Sequence, residues 1–363
     1  MPTTDEPILV PAARLHAFVM ACLEAVGAAA DDAKVVADVL IAANLRGVDS
    51  HGVARLRRYV KGIHTGTIEA RPSRTIPQEG PATAVIDAGN GLGQPAALAA
   101  MRLAIAKAEQ VGLGMVLTRR SNHFGIAGYY AMLALEHGMI GMVSTNASPQ
   151  VAPTFAAEPM FGTNPLAIAI PTGGPSPFVL DMATSTAARG RIEQMRREGK
   201  PIPAGWAIGP DGTTTTDAGA LIAGLIDRRG HALLPVGGAG ETYGGHKGYG
   251  LALMVDLLCG PLAGAAWGRH VYGPSGANLG HCFLAMRVDC FRPWDEFIAD
   301  SDQLLRDIRA AKKVPGQERV YIPGEKEAEE TQRRTRDGIP LLPVVLSDLA
   351  KLADEAGVEF SLA

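Results

Sequence analysis

Cysteine is scarce in this 363-residue chain, which holds four: Cys22, Cys259, Cys282 and Cys290. None stands in a Cys-x-x-Cys pair or at Cys/His ligand spacing, which excludes a disulfide scaffold and argues against a structural zinc site. A reducing cytoplasm is the expected setting, and no metal site is expected. An excess of either charge is also missing, with 34 Lys+Arg against 37 Asp+Glu and a net charge of −3. No whole-chain field recruits a phosphate backbone or an anionic lipid surface, so neither nucleic acid nor membrane is an expected partner. Long uninterrupted apolar runs are absent too. The most lipid-like stretch, Gly248 to Trp267, approaches spanning length, but Asp256 and Pro261 interrupt it and glycine dilutes it, so it reads as a buried helix with its loop. Met1 to Val10 carries Asp5 and Glu6 and no basic region followed by an apolar one, so no secretory signal is expected there.

What the chain does hold is 47 % hydrophobic and 20 % charged residues, with 43 glycines and 25 prolines. That composition excludes disorder and fibrous architectures and leaves ample core, in two domains or one large one. Leu15, Phe18, Val19, Cys22, Leu23 and Val26 recur at helical spacing, as do Val36, Val39, Leu40 and Ala43. The second helix stops near Arg46-Gly47, and Ser50 to Tyr59 reads as a third, capped by Asp49 or Ser50. Past a Pro/Gly-rich passage the pattern changes near residue 75. Strands are predicted at Ala84–Asp87, Met115–Thr118, Met139–Thr145, Leu166–Ile170, Phe178–Leu180 and Cys282–Val288. Helices are predicted at Ala96–Val111, Gly128–His137, Ala183–Glu198, Lys247–Leu258 and Val344–Ala356, with loops over Pro201 to Tyr243.

Gly89, Gly91 and Gly93 lie between a strand and a helix, the context of a dinucleotide-binding glycine loop. Their G-x-G-x-G spacing lacks the later glycine or alanine that packs helix on strand. The next strand ends in Thr118-Arg119-Arg120, without an acid to grip a ribose. A plain strand–turn–helix connection is the better reading.

Other segments carry chemistry. In Asp49-Ser50-His51-Gly52-Val53-Ala54-Arg55, a helix starting at Ser50 puts His51 and Arg55 on one face. An imidazole titrating near neutrality beside a forked, permanent cation suits a 2-oxo or 2-hydroxy acid: the guanidinium holds the carboxylate and the imidazole moves the proton. The alternative is a capping serine at the start of a solvated, Arg-rich helix. Arg55, Arg57 and Arg58 form a local cationic group suited to a single small carboxylate. Arg120-Ser121-Asn122-His123-Phe124-Gly125 leaves a strand where ligand crevices form; His123 is either a cofactor contact or a structural cap. Asp181, in Leu180-Asp181-Met182-Ala183-Thr184, is either an N-cap or a ligand to ribose hydroxyls. Gly244-Gly245-His246-Lys247-Gly248 resembles a phosphate grip but lacks the spacing of a nucleoside-triphosphate loop. Tyr321-Ile322-Pro323-Gly324-Glu325-Lys326 is a turn into a charged helix.

Taken together, Asp49-Ser50-His51-Gly52, Ser121-Asn122-His123-Phe124-Gly125, Gly162-Thr163-Asn164-Pro165, Leu180-Asp181-Met182-Ala183-Thr184 and Lys247-Gly248-Tyr249-Gly250-Leu251-Ala252 resemble the malate/L-lactate dehydrogenase family of NAD(P)-dependent oxidoreductases. That family is distinct from the Rossmann-fold lactate and malate dehydrogenases, and the resemblance runs from about Leu15 to Gly357. It implies an α/β fold in which a mixed-sheet, non-Rossmann NAD(P)-binding domain is interleaved with a helical domain. The expected parts are an N-terminal helical segment (1–74), a cofactor-binding sheet domain (75–300) and a C-terminal helical segment (301–363) that packs with the first.

The resemblance also implies roles. His51 is the proton donor, Ser50 its hydrogen-bonding partner, Arg55 the carboxylate ligand, and Thr163 part of the substrate pocket. His123, Phe124, Gly125, Asp181, Met182, Ala183, His246, Lys247, Pro323, Gly324 and Glu325 would contact NAD or NADP, with NAD favoured. The implied enzyme interconverts a small 2-hydroxy acid, malate or lactate-like, with its 2-oxo acid, and is a homodimer or larger. Alternatives within the family are a ureidoglycolate dehydrogenase, a keto-sugar-acid reductase or a cyclic imino-acid reductase; outside it, a non-catalytic nicotinamide-binding protein. Ala188-Arg189-Gly190 is followed by Arg191 rather than by an acid, which weakens the imine-reductase reading and leaves open what anchors Ser50.

Overall fold

The computed structural model describes residues 6–273 and 276–362, so the first half of the Met1–Val10 stretch lies outside the described residues. The chain opens with β1 (Ile8–Val10), α1 (Ala12–Ala25), α2 (Ala30–Leu45) and, after two short 3-10 turns, α3 (Leu56–His64). Next come β2 (Thr75–Glu79), β3 (Thr83–Asp87), α4 (Gly93–Val111), β4 (Leu113–Ser121), α5 (Ala127–Leu133), β5 (Met139–Thr145), β6 (Leu166–Ile170) and β7 (Phe178–Met182). They are followed by α6 (Arg189–Arg197), β8 (Ala207–Ile208), α7 (Ala218–Ile226), β9 (Ala232–Leu233), α8 (Gly245–Leu257) and β10 (Leu279–Arg287). The chain closes with α9 (Trp294–Ala310), α10 (Glu325–Asp337), β11 (Ile339–Leu341) and α11 (Pro343–Ala356).

The two ends of the chain share one core. β1 pairs antiparallel with β11, and Leu15, Phe18 and Leu40 pack in the same buried cluster as Ile339, Leu349 and Leu352. Each large side chain removed from such a cluster costs about 2–5 kcal/mol, so the helical body depends on both termini being in place.

The central sheet runs β2-β3-β4-β10-β5-β6-β7. Only β3 and β4 run parallel, joined through α4; every other neighbouring pair is antiparallel. This is a mixed α/β sheet and not a doubly wound parallel one. A side chain on Gly114 of β4 would collide with the Ala104 carbonyl of α4, so the absence of one lets the alanine-rich helix lie directly on the sheet.

Register decides where the site forms. Leu279 stands opposite Ser121, His281 opposite Thr145, Ser144 opposite Leu166, and Leu166 opposite Met182. Those pairings bring the ends of β4, β5 and β7 and the beginnings of β6 and β10 to one end of the sheet. The segments around 121–125, 145–150, 163–166 and 181–183 are therefore neighbours although far apart in sequence.

Four expectations need correction. Ser50 to Tyr59 is not one helix: two 3-10 turns, Asp49–His51 and Val53–Arg55, precede α3, and Gly52 between them leaves helical geometry at ψ −150°. A side chain on Gly52 would collide with the Asn44 amide, and that packing breaks the helix. Residues 183–188 are not helical, because β7 runs on through Met182 and α6 begins at Arg189. The span 201–243 is not all loop: Asp217 accepts from the Ala220 N–H as N-cap of α7, and β8 pairs with β9. α8 is only half-buried, with Leu253, Met254 and Leu257 exposed on one face. Among the described residues no helix is long and apolar enough to cross a membrane.

Candidate active site

His51 ends the first 3-10 turn, and the turn is secured from behind. Asn44 of α2 accepts from the Val53 N–H (2.8 Å) and donates to Asp49 (2.6 Å). Arg334 of α10 donates to the Asn44 carbonyl and to both carboxylate oxygens of Asp49, at 2.7–3.1 Å. Neither Asn44 nor Arg334 is visible as a site residue in sequence, since the clamp spans 290 positions. Ser50 Oγ lies 2.9 Å from His51 Nδ1, which leaves Nε2 for another partner. The residue after Gly190 does not complete a relay: Arg191 is exposed and bonds Gln194.

Although the expected helix is absent, His51 and Arg55 still converge. Arg55 Nε donates to the Ser50 carbonyl at 2.7 Å, which curls the side chain back to His51, and among the described residues its two terminal nitrogens make no hydrogen bond, leaving them to fork onto an anion. Arg57 turns away. It pairs with Asp348 and Glu355 on α11, both at 2.7 Å, and so ties α3 to the C-terminal helix instead of joining the cationic group. Arg58 stays on the site side, over the Tyr272 ring at 5.5 Å.

His123 enters from the end of β4. Its Nδ1 accepts from the Gly125 N–H (3.3 Å) and lies 2.7 Å from the buried Tyr59 hydroxyl. Its ring stacks near-parallel on His51, with centroids 5.6 Å apart. Behind it, fully buried His281 bridges Ser121 (2.8 Å) and Thr145 (2.6 Å) and stacks on Phe124. That arrangement holds the 121–125 segment rigidly to the sheet.

Two cavities meet at these residues. The larger, about 440 Å³, is lined by Arg46, Asp181, Met182, Ala183, Pro323 and Gly324, among others. The smaller, about 160 Å³, is lined by Arg55, Arg58, His123, Phe124, Gln150 and Arg189. His51, Gly125 and Thr163 line both, and so mark the seam. Gln150 and Arg189 were not assigned to the site from sequence, and Arg58 was named there only as one of three clustered arginines. Arg58 carries the same local signal as Arg57, and periodicity cannot say which of the two faces the cleft.

Asp181 does not cap its own chain. Its Oδ2 accepts from the Gly128 N–H at 2.7 Å, at the start of α5, while Oδ1 takes no hydrogen bond from the described residues. Burial, opposed by that N–H and by Arg46, pushes its carboxyl up to about 6. His51 moves the other way: burial first, then Arg55 and Arg58, lower it to about 4. Burial and the same arginines hold His123 well below its ordinary range.

Three expected residues stand elsewhere. His246 and Lys247 are exposed at the start of α8 and line neither cavity. Glu325 is taken up by Arg309, Arg319 and the Ile322 N–H, which outweigh burial and lower its carboxyl, so it shapes the 321–325 turn from behind. The discounted glycine loop is packed against the chain itself: a side chain on Gly93 would strike the Asn122 and His123 carbonyls, and Asp87 pairs with Arg119 and Arg120.

A mixed, non-Rossmann sheet whose end unites a roomy cavity with a small basic cleft, and an imidazole at their seam, is the architecture of a dehydrogenase acting on small acids. The profile of the malate/L-lactate dehydrogenase family matches residues 10–350, and the chain belongs to that family. It is similar to the malate dehydrogenase of Pyrococcus horikoshii, with 47 % identity over 97 % of this chain and 96 % of that one. It is also similar to the L-sulfolactate dehydrogenase of Methanocaldococcus jannaschii, 40 % identical over 93 % and 94 %. The crystal structure of malate dehydrogenase from Entamoeba histolytica superposes with a TM-score of 0.94 at 37 % identity, covering 98 % of this chain and 99 % of that one. The chain is thus an oxidoreductase that interconverts a small 2-hydroxy acid and its 2-oxo acid, with a nicotinamide cofactor.

Proposed function

We propose that the small cleft holds the acid, the large cavity holds NAD(H), and His51 moves the proton between them. The observation that carries this reading is the seam: His51 and Thr163 line both cavities, so a group in each would meet at these side chains. The nicotinamide, when bound, supplies or takes up the hydride. Arg55 forks onto the carboxylate and fixes the reacting carbon, Thr163 closes the wall beside it, and His51 Nε2 gives its proton to the carbonyl oxygen or takes one from the hydroxyl. Ser50 at Nδ1 orients the ring. With burial first, then Arg55 and Arg58, keeping it neutral, His51 begins as a base; an arriving carboxylate offsets the two charges and raises its proton affinity, as the acid role needs.

Gly125, Met182, Ala183, Pro323 and Gly324 would form the cofactor's walls, with His123 and Phe124 beside its reactive end. The cavity fits such a group because Asp181 keeps an oxygen free to accept from ribose hydroxyls. That carboxylate, with Glu327 on the same wall, favours NAD over a cofactor bearing a 2′-phosphate. The exposed Leu253, Met254 and Leu257 support a homodimer or larger assembly through α8. In this reading His246 and Lys247, on the same helix, serve the cofactor across that interface. The cysteines, all free thiols, support a cytoplasmic setting.

The test is paired initial rates with NADH and NADPH against oxaloacetate and pyruvate, for the wild type and for His51→Ala. Faster turnover with NADH and its loss in the variant are expected. Full turnover in the variant would transfer the proton role to His123, and a preference for NADPH would remove Asp181 as the selector. Light scattering giving a monomer mass would refute the assembly.

A further inference from the structure

The buried side of α8 carries a carboxylate that the chemistry above does not use. Asp256 is 6 % exposed and lines neither cavity. Among the described residues its hydrogen bonds come from neutral donors alone: Oδ1 accepts from Asn146 Nδ2 at 3.3 Å, and Oδ2 accepts from the Gly268 N–H at 3.2 Å. Burial raises its pKa, opposed by Asn146, the Gly268 N–H and Asn164. An acid kept inside the protein without a counter-charge costs stability, so packing alone does not account for it.

What Asp256 holds is one wall of the acid cleft. Asn146, itself buried, has its whole amide engaged: Nδ2 also donates to the Ala266 carbonyl at 2.7 Å, and Oδ1 accepts from the Gly280 N–H at 3.1 Å. Gly268 belongs to the turn that presents the Ala266 carbonyl. Asp256 therefore fixes Asn146 twice, once directly and once through that turn. Asn164 adds a second tie between the same wall and α8, for its Oδ1 accepts from the Ala147 N–H at 3.1 Å and its Nδ2 donates to the Ala252 carbonyl at 3.0 Å. Thr145, Asn146, Ala147 and Ser148 line the small cleft, and none of them lines the larger cavity.

We infer that Asp256 is a positioning residue for the 2-oxo acid: without touching it, Asp256 holds the 145–148 wall where the acid fits between that wall, His51 and Arg55. A carboxylate is needed because Asn146 and Gly268 both present N–H groups, and an amide would offer an acceptor at only one of the two oxygen positions. The role belongs to the acid cleft and not to the cofactor cavity. It rests on the assignment of the small cleft to the acid. A shift of about 1 Å in a substrate-positioning group, caused by a change away from the chemistry, costs about a hundredfold.

The experiment compares wild type, Asp256→Leu and Asp256→Asn. Fluorescence titration gives the NADH dissociation constant, and its end point counts folded sites. KM and kcat per folded site are then measured for whichever of oxaloacetate and pyruvate the wild type turns over faster. In Asp256→Leu, KM for the acid should rise about ten- to a hundredfold, with a smaller fall in kcat and an NADH dissociation constant within about twofold of the wild type. Asp256→Asn keeps one acceptor, and its KM should lie only about three- to tenfold above the wild type. If the leucine variant binds no NADH, the asparagine variant alone decides. A KM within about twofold of the wild type in every variant that binds NADH, or a rise in KM matched by an equal rise in the NADH dissociation constant, overturns the proposal. If Arg55→Lys leaves KM for the acid unchanged, the assignment of the cleft fails, whatever Asp256 does.

Discussion

The two halves of the site move their central ionisable groups in opposite directions. In the larger cavity Asp181 is pushed up to about 6, and at the seam with the small cleft His51 is pushed down to about 4. Burial is the largest cause in both, and in both it favours the neutral form. The difference lies in the neighbours. Asp181 has Arg46 and a helix N–H partly opposing burial, whereas His51 has two guanidiniums reinforcing it. On the cofactor side the neighbours partly offset burial, and on the acid side they add to it.

The largest expected effect falls on the seam. His51→Ala should lower kcat by about a hundred- to ten-thousandfold, the usual contribution of a positioned acid or base, with NADH binding by fluorescence titration little changed. Next is the acid side: Arg55→Lys should raise KM for the 2-oxo acid about ten- to a hundredfold by losing the forked contact. An equal rise in the NADH dissociation constant would mean that the two cavities are not separate sites. On the cofactor side, Asp181→Asn should weaken NADH about tenfold and narrow its advantage over NADPH.

The smallest effects are in pH dependence. The neutral His51 is the base for hydroxy-acid oxidation, so kcat/KM in that direction should stay flat from neutrality and fall only as pH drops through about 4. Asp181 accepts best when ionised, so NADH affinity should weaken as pH falls through about 6. An acid limb of the rate near His51's ordinary 6.5 would show that its neighbours do not act as described.

Much of the fold was readable along the chain because its elements have strong local periods. The helix containing Leu15 and Phe18 is α1, and the run Met139 to Thr145 is β5 residue for residue. α7 was hidden because Gly, Thr and Pro around it read as loop, although Asp217 before Leu221 and Ile222 was a usable cap signal. The break at Gly52 had no local signal at all, because its cause is the side chain of Asn44 on another helix.

By itself the sequence determined the family and the class of reaction, and it picked out five short strings of chemically specific residues, four of which meet at the two cavities while Lys247–Ala252 lines neither. Its glycine spacing also disfavoured the loop at 89–93 as a cofactor site. Only the tertiary structure decided that Arg57 serves α11 while Arg58 faces the cleft, that Asp181 caps α5 and not the segment after it, and that His51 stands where two cavities meet. The physical reason is range. Periodicity, capping and turn chemistry act over a few residues, whereas these roles depend on strand register and packing between segments tens to hundreds of positions apart.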